Sequence, residues 1–282
     1  MEAWSPMTTP TLVTLEDIRA AARRLYGGIV RTPLVPAQWG DPDRPLWIKP
    51  ESLQVIGAFK VRGALNAVGR IDESVRSRGV VAYSSGNHAQ AVAYAAATFG
   101  ITAQIVMPQE TPDIKVRKTR AYGAEVVLCG AGQRETVAAE LVERTGATLV
   151  PPFDHPDVIA GQGTIGLEIA EDLPDVANVL VPVSGGGLAS GIGTAVKALC
   201  ARADLRCRAR TRRGHRGRPA GRAPRVDAGG RPEPHHRRRI AVGTFGADLR
   251  ASATGAGWGA HRDRGRNPFG GPGVDVQGAA GQ

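Results

Sequence analysis

Lys60 is the residue of this chain best placed to act as a nucleophile. It follows a strand-like run at 45–49 and begins a segment, 60–71, whose apolar residues recur at helical spacing. A helix macrodipole disfavours an ammonium at the helix N-terminus and so favours the neutral amine. A neutral amine can form a Schiff base with an aldehyde. The alternative is a solvated lysine at the start of a surface helix.

A second segment suited to chemistry is the polar turn 84–90, which reads Ser-Ser-Gly-Asn-His-Ala-Gln. It follows an apolar strand at 80–83 and opens a predicted helix that runs to about residue 99. The first N–H groups of a helix have no partner within the helix and can bind an anion such as an amino acid's carboxylate. The alternative is a helix cap followed by a solvated histidine.

The third segment is the glycine loop, defined here as residues 184–188, Ser-Gly-Gly-Gly-Leu. It connects a buried-type strand at 178–183 to a predicted helix at 189–200. Glycines without β-carbons let successive N–H groups converge on a phosphate at the positive end of such a helix. The spacing therefore predicts a phosphate-binding loop, although glycine-rich turns are frequent and only weak evidence alone.

Together the three segments resemble the threonine and serine dehydratase family, pyridoxal-phosphate enzymes of fold type II that include serine racemase and tryptophan synthase β. The family's lysine motif, Glu-x-x-Gln-x-x-Gly-Ser/Ala-Phe-Lys-x-Arg-Gly-Ala, is matched from Glu51 to Ala64. The polar turn and the glycine loop follow in the family's order. The likeness covers residues 14–205 and departs at Ser184, where the family usually has a fourth glycine.

The resemblance implies a role for each matching position. Lys60 would hold pyridoxal 5'-phosphate as a Schiff base and then remove the Cα proton, and Asn87 would bind the cofactor's ring oxygen. The other implied cofactor-binding residues are Phe59, Ser184, Gly185, Gly186, Gly187 and Leu188. The implied substrate-binding residues are Ser84, Ser85, Gly86, Asn87 and His88.

The implied reaction eliminates water from a hydroxy amino acid to give an enamine, which is hydrolysed to a 2-oxo acid, so that ammonia is the net loss. L-threonine would give 2-oxobutanoate and L-serine would give pyruvate. Ser85 keeps a second enzyme open, because the corresponding serine of serine racemases reprotonates Cα and is often alanine in dehydratases. Ser85 is therefore a second candidate catalytic residue. A third alternative is an inactive relative that folds poorly.

The alternation of predicted strands and helices indicates an α/β protein with open parallel sheets and helices on both faces. By the resemblance, the architecture is tryptophan-synthase-β-like and has two domains. We expect residues 1–76 and 152–205 to form a large cofactor-binding domain that is incomplete, and residues 77–151 to form a small one. His155, in a turn at 151–156, is expected to be a loop residue rather than a metal ligand.

The chain's net charge of +10 comes entirely from its last 82 residues. Residues 1–200 hold 18 Lys+Arg and 20 Asp+Glu, whereas residues 201–282 hold 18 arginines, no lysine and 6 acids. Only 9 of those last 82 residues are Leu, Ile, Val or Phe, and 16 are glycine. This composition is typical of disordered segments, so we expect residues 206–282 to form an aberrant or disordered tail.

Three interpretations of the tail stay open: a basic arm that binds nucleic-acid phosphates, an inert extension, and translation in a shifted reading frame after Leu205. We favour the shifted frame over nucleic-acid binding, because the composition changes abruptly and few aromatic residues accompany the arginines. The resemblance places a cation site and a Ser or Thr partner of the pyridine nitrogen beyond the glycine loop. We find no matching position for either.

The three cysteines, Cys129, Cys200 and Cys207, have no metal-ligand spacing. The N-terminus lacks the basic start and apolar core of a signal peptide, and no run reaches the length of a membrane span. We therefore expect a cytoplasmic protein that acts on a small hydroxy amino acid, without a membrane or metal partner. Homo-oligomerisation is expected only for an intact family member.

Overall fold

The computed structural model describes residues 12–39, 42–209 and 239–243 of the 282-residue chain. Within them the α-helices are α1 Leu15–Leu25, α2 Lys60–Gly69, α3 Glu73–Arg76, α4 Asn87–Thr98, α5 Asp113–Ala121, α6 Arg134–Thr145, α7 Pro156–Asp172 and α8 Gly187–Leu199. The strands are β1 Val35–Pro36, β2 Leu46–Pro50, β3 Val80–Tyr83, β4 Ala103–Pro108, β5 Glu125–Cys129, β6 Thr148–Leu149, β7 Asn178–Val183, β8 Asp204–Ala209 and β9 Arg239–Gly243. A short 3-10 helix, Glu51–Leu53, separates β2 from α2.

The strands form two sheets, and the prediction of an α/β fold with parallel sheets is confirmed. A four-stranded sheet has the order β5-β4-β3-β6 and is parallel throughout. A five-stranded sheet has the order β1-β2-β9-β7-β8, and only the pairing of β1 with β2 is antiparallel. The carboxyl ends of parallel strands share one edge of a sheet, which is where an α/β protein gathers its functional loops.

Helices cover both faces of the four-stranded sheet. Val80 and Ala82 of β3 pack in a core cluster with residues of α2 and α4, whereas Val81 packs with Ala138 and Leu141 of α6. Strand β3 is buried on both sides for this reason, and its apolar run shows no alternation. On β7 of the other sheet, Val179 is buried against α7 and α8, whereas Leu180 remains 40% exposed.

Two strands lie in the segment that we expected to be a disordered tail. Residues 206–209 extend β8, and residues 239–243 form β9 between β2 and β7, parallel to both. The expectation of disorder is therefore wrong for these two stretches. The rest of the predicted tail, 210–238 and 244–282, lies outside the described residues.

Helix α7 packs closely against both α2 and α8 because glycines stand where the helices cross. A β-carbon at Gly161 would lie 2.6 Å from the carbonyl oxygen of Arg62, and one at Gly163 would lie 3.0 Å from that of Gly191. The helix that begins with Lys60 and the helix that follows the glycine loop are thus both seated on α7. None of the helices in the described part of the chain has the length and apolar character to span a bilayer.

Candidate active site

Lys60 begins α2 and lies half-buried, with its ammonium donating a hydrogen bond to the carbonyl oxygen of Pro152. Burial lowers the pKa of Lys60 from its ordinary 10.5 to about 8. The sequence predicted a shift in this direction but attributed it to the helix macrodipole, whereas the cause in the structure is desolvation. An amine with this pKa has a much larger neutral fraction near neutral pH than an ordinary lysine, and the neutral form is the one that forms a Schiff base.

Phe59, a predicted cofactor-binding residue, is the immediate neighbour of Lys60 in space as well as in sequence. The Lys60 Nζ atom lies 5.3 Å from the centre of the Phe59 ring. The ring itself packs against the core of the five-stranded sheet. Phe59 therefore connects the reactive amine to a rigid part of the molecule.

Four charged residues, Lys49, Glu51, Arg62 and Glu168, form a buried ion network. Arg62 is fully buried and binds Glu51 through two hydrogen bonds of 2.8 Å. It also binds Glu168 through bonds of 2.6 and 3.0 Å. Lys49, also fully buried, lies 2.6 Å from Glu168. The network has no net charge and ties α2 to α7 and to the 3-10 helix before α2.

The two cations of this network differ in how burial affects them. Burial disfavours the charge of Arg62, but hydrogen bonds with Glu51 and Glu168 raise its pKa above the ordinary value. Burial lowers the pKa of Lys49, and Glu168 only partly opposes this. Glu51 and Arg62 match the lysine motif but had no predicted role, and Lys49 and Glu168 were not predicted to belong to the site. The sequence signal that could have revealed Lys49 and Glu168 is that each is a charged residue inside an apolar stretch.

The polar turn follows β3 and continues into the first turn of α4. Ser84, Ser85 and Gly86 are half-buried, and Asn87 is exposed. The Ser84 hydroxyl accepts a hydrogen bond of 3.2 Å from the Gly86 N–H. No side chain among the described residues caps the N-terminus of α4, so its first N–H groups remain available to a ligand. The turn thus leaves N–H groups open to an anion, and both the binding of a carboxylate there and the individual roles of these residues remain predictions.

His88, the second residue of α4, points into the protein. It is 3% exposed, its Nε2 atom lies 2.9 Å from the Val150 carbonyl oxygen, and its Nδ1 has no partner among the described residues. Burial and the charge of Lys60 lower its pKa to about 4, although the bond to Val150 acts in the opposite direction. The imidazole is therefore neutral at pH 7 and donates from Nε2. The alternative of a solvated histidine is wrong.

The glycine loop ends at the start of α8, which begins at Gly187 and has no side-chain cap within the described residues. Gly186 adopts a φ of 90°, and the position of its absent β-carbon faces open space. Ser184 and Gly185 are exposed. The Leu188 side chain is buried in the core of the five-stranded sheet, so only its backbone can reach a ligand bound at this predicted site.

His155 has a structural role that the sequence did not indicate. It caps α7, because its Nδ1 accepts a hydrogen bond of 3.2 Å from the Asp157 N–H. We had expected a loop residue, and His155 immediately precedes the helix, which begins at Pro156. Proline suits the first turn of a helix, since no intrahelical partner exists there for its missing N–H.

These observations fit two groups of pyridoxal phosphate, its aldehyde and its phosphate. A half-buried amine of lowered pKa suits its aldehyde, and an uncapped helix N-terminus beside an open glycine suits its phosphate. Residues 13–247 match the family described as pyridoxal-phosphate dependent enzymes. The chain belongs to this family. The match extends past residue 205, where we had placed the limit of the resemblance.

Several relatives are similar to about two thirds of the chain. An L-threonine ammonia-lyase of Thermotoga maritima is 50% identical over 192 residues, which are 67% of this chain and 48% of the relative. The catabolic L-threonine dehydratase TdcB of Escherichia coli is 45% identical over 66% of this chain and 58% of its own length. This chain therefore spans about half the length of the curated relatives that it matches.

A solved structure of maize serine racemase aligns with a TM-score of 0.68 at 39% identity. The alignment covers 70% of this chain and 61% of the racemase. The structural comparison confirms the predicted architecture, that of a fold type II pyridoxal-phosphate enzyme. It also shows that the same scaffold carries enzymes with different names, so residues of the site must discriminate between activities.

Proposed function

We propose that this chain belongs to a pyridoxal-phosphate dependent ammonia-lyase that converts L-threonine to 2-oxobutanoate and ammonia, or L-serine to pyruvate and ammonia. One observation carries the proposal. Pro152 contacts the Lys60 amine and the adjacent Phe153 contacts the glycine loop, which brings the reactive amine and the phosphate-binding loop to one place. The two relatives named for L-threonine, at 45% and 50% identity, support the choice of substrate.

Pyridoxal phosphate supplies an aldehyde for amines and an electron sink for the electrons left when the Cα proton is removed. The residues of this chain would supply a base for the Cα proton and the groups that bind the substrate and the phosphate. The neutral Lys60 amine takes the proton from Cα, and the uncapped start of α4 beside Ser84 and Asn87 binds the substrate carboxylate. The start of α8 binds the phosphate. Before the cofactor binds, the Pro152 carbonyl holds the Lys60 amine by a hydrogen bond.

The proposal is tested with purified full-length protein and pyridoxal phosphate. After reduction with borohydride, mass spectrometry should find one pyridoxyl group, on Lys60, and L-threonine should yield 2-oxobutanoate and ammonia in equal amounts. Lys60→Ala is the control and should lose both the label and the products. Labelling at other lysines alone, or no 2-oxo acid from either substrate, would overturn the proposal. The second result would favour an inactive relative.

A second candidate activity is amino-acid racemisation. Ser85 stands half-buried in the polar turn, where the resemblance places the second acid–base residue of serine racemases, and maize serine racemase is a structural neighbour. Chiral chromatography of L-serine incubations distinguishes the two activities, because a lyase alone produces no D-serine. If racemisation occurs, Ser85→Ala should abolish D-serine while pyruvate formation continues.

The remaining expectations concern the setting of the enzyme. We propose a cytoplasmic location, because Cys129, Cys200 and Cys207 are free thiols in the structure. Assembly into a homo-oligomer also stays a proposal.

The interpretation of the tail as a nucleic-acid arm predicts salt-sensitive binding that disappears when residues 201–282 are removed. Resequencing the coding DNA tests the interpretation of the tail as a shifted reading frame.

A further inference from the structure

Phe153 explains two of the three glycines in the glycine loop. A β-carbon at Gly185 would overlap the Phe153 ring, and one at Gly187 would lie 2.5 Å from the Phe153 carbonyl oxygen. Real β-carbons do not approach other atoms so closely. Gly186 differs, because a β-carbon there would meet nothing within 4 Å and only its φ of 90° calls for glycine. The ring and backbone of one residue therefore determine the course of the loop on both sides of Gly186.

The connection that carries Phe153 also contacts the other two motifs. Its first residue, Val150, accepts the hydrogen bond of His88 from the helix that follows the polar turn. Pro152 accepts the hydrogen bond of Lys60. Residues 150–153 thus contact the polar turn's helix, the lysine and the glycine loop in succession. Two consecutive prolines at 151 and 152 have restricted φ angles, so this connection is stiff.

We propose that Phe153 is a positioning residue that holds the glycine loop in its phosphate-binding shape and at a fixed place relative to Lys60. A loop with three consecutive glycines loses much conformational entropy when it is ordered around a ligand. Packing against the Phe153 ring orders the loop beforehand and removes part of that entropy loss from binding. This inference rests on the proposed function, because it assumes that the ligand of the loop is the phosphate of pyridoxal phosphate.

The experiment compares two ligands that differ only in the phosphate, namely pyridoxal phosphate and pyridoxal. Their dissociation constants are measured on the full-length apo-protein by borohydride trapping at Lys60. Phe153→Ala should weaken pyridoxal phosphate binding roughly tenfold, which is about the free-energy cost of immobilising one further side chain on binding. It should leave pyridoxal binding unchanged. Phe153→Leu should recover part of the loss, because a branched aliphatic side chain still packs on Gly185.

Phe99→Ala is the matched control. Phe99 is 40% exposed, as Phe153 is, and its ring also packs against a glycine, Gly69. It follows the C-terminal end of α4, which lies a full 12-residue helix away from the polar turn. The control should lower the melting temperature about as much as Phe153→Ala does but leave both dissociation constants unchanged. An equal loss for both ligands in Phe153→Ala would overturn the inference, because it would indicate general damage to the fold.

A double-mutant cycle tests whether Phe153 acts through the loop. Gly185→Ala should weaken pyridoxal phosphate binding in the wild-type background, because the new methyl displaces the Phe153 ring, and should have no further effect in the Phe153→Ala background. Additive effects of the two changes would overturn the inference. If the wild-type protein binds pyridoxal phosphate but forms no 2-oxo acid, the proposed function is wrong. The dissociation constants of the variants still test the role of Phe153 in that case.

Discussion

Arg62 and Glu51 face each other through two hydrogen bonds of 2.8 Å, and neither side chain is exposed to solvent. The two residues flank Lys60 in the sequence, one before the glycine turn at Gly57 and the other in the first turn of α2. Arg62 also binds Glu168 of α7. Lys60 therefore lies, in the sequence, between two residues that are anchored in the protein interior, and the ion network is buried rather than exposed.

Removing the Arg62 charge should destabilise the protein strongly. Arg62→Met retains much of the side-chain length but leaves Glu51 and Glu168 buried with only Lys49 as a cation, and breaking such a buried pair costs about 3–5 kcal/mol. The measurement is the free energy of unfolding in urea. Arg31→Met is the matched control, because Arg31 also binds two carboxylates, Glu171 and Asp172, but is 52% exposed.

The control should lose less than about 1 kcal/mol, since exposed ion pairs contribute little. Similar losses for the two variants would show that the burial of the Arg62 pairs has no energetic consequence. Activity measured on Arg62→Met protein that remains folded would report on the position of Lys60.

The sequence predicted the strands that precede two of the motifs well because each motif is contiguous. The strands 80–83 and 178–183 have the predicted bounds, since apolar runs between turns determine buried strands. It missed the contact between Lys60 and Pro152, which are 92 residues apart, and that between Arg62 and Glu168, which are 106 apart. No periodicity within a motif can reveal such contacts.

Strand β9 escaped prediction for a different reason. Five residues at 239–243 form a strand in an arginine-rich part of the chain, and their partners in β2 and β7 lie far away in the sequence. The tendency of a short segment to form a strand depends on its neighbours in the sheet more than on its own residues. Composition alone therefore indicated disorder, whereas pairing with β2 and β7 orders these five residues.

The lowered pKa of Lys60 predicts an unusual pH dependence of its reactivity. Because the amine reacts only when neutral, acetylation of Lys60 by a small anhydride should rise with pH and reach half of its maximal rate near pH 8, where the pKa lies. Free Nα-acetyl-lysine in the same tube is the internal control, with a midpoint near its ordinary pKa of about 10.4. Mass spectrometry of the Lys60 peptide gives the rate. A midpoint equal to that of the free amino acid would contradict the burial of the amine.

His88 predicts a loss of stability in mild acid. Its pKa is about 4 in the folded protein and 6.5 when unperturbed, so between these values the unfolded chain binds a proton that the folded protein does not. The stabilisation is fully present above pH 6.5 and disappears as the pH falls toward 4, with a total of about 3 kcal/mol.

The measurement for this prediction is urea unfolding of the wild type and of His88→Gln at pH 7 and pH 5. The wild type should lose more free energy of unfolding between the two pH values than the variant, which keeps a polar side chain but no titrating ring. Groups that titrate in both proteins cancel in the comparison. Equal losses would show that protonation of His88 does not depend on folding.

Gly186 and Gly86 allow backbone conformation to be separated from steric space. A β-carbon at either position would meet nothing within 4 Å, but only Gly186 has a positive φ, 90° against −133° for Gly86. An L-residue in the left-handed region costs roughly 1–2 kcal/mol, so Gly186→Ala should lower the free energy of unfolding by about that amount. Gly86→Ala should change it little. Thermal unfolding of the two variants against the wild type gives the comparison, and equal melting temperatures would mean that the loop before α8 relaxes out of its left-handed conformation without loss of stability.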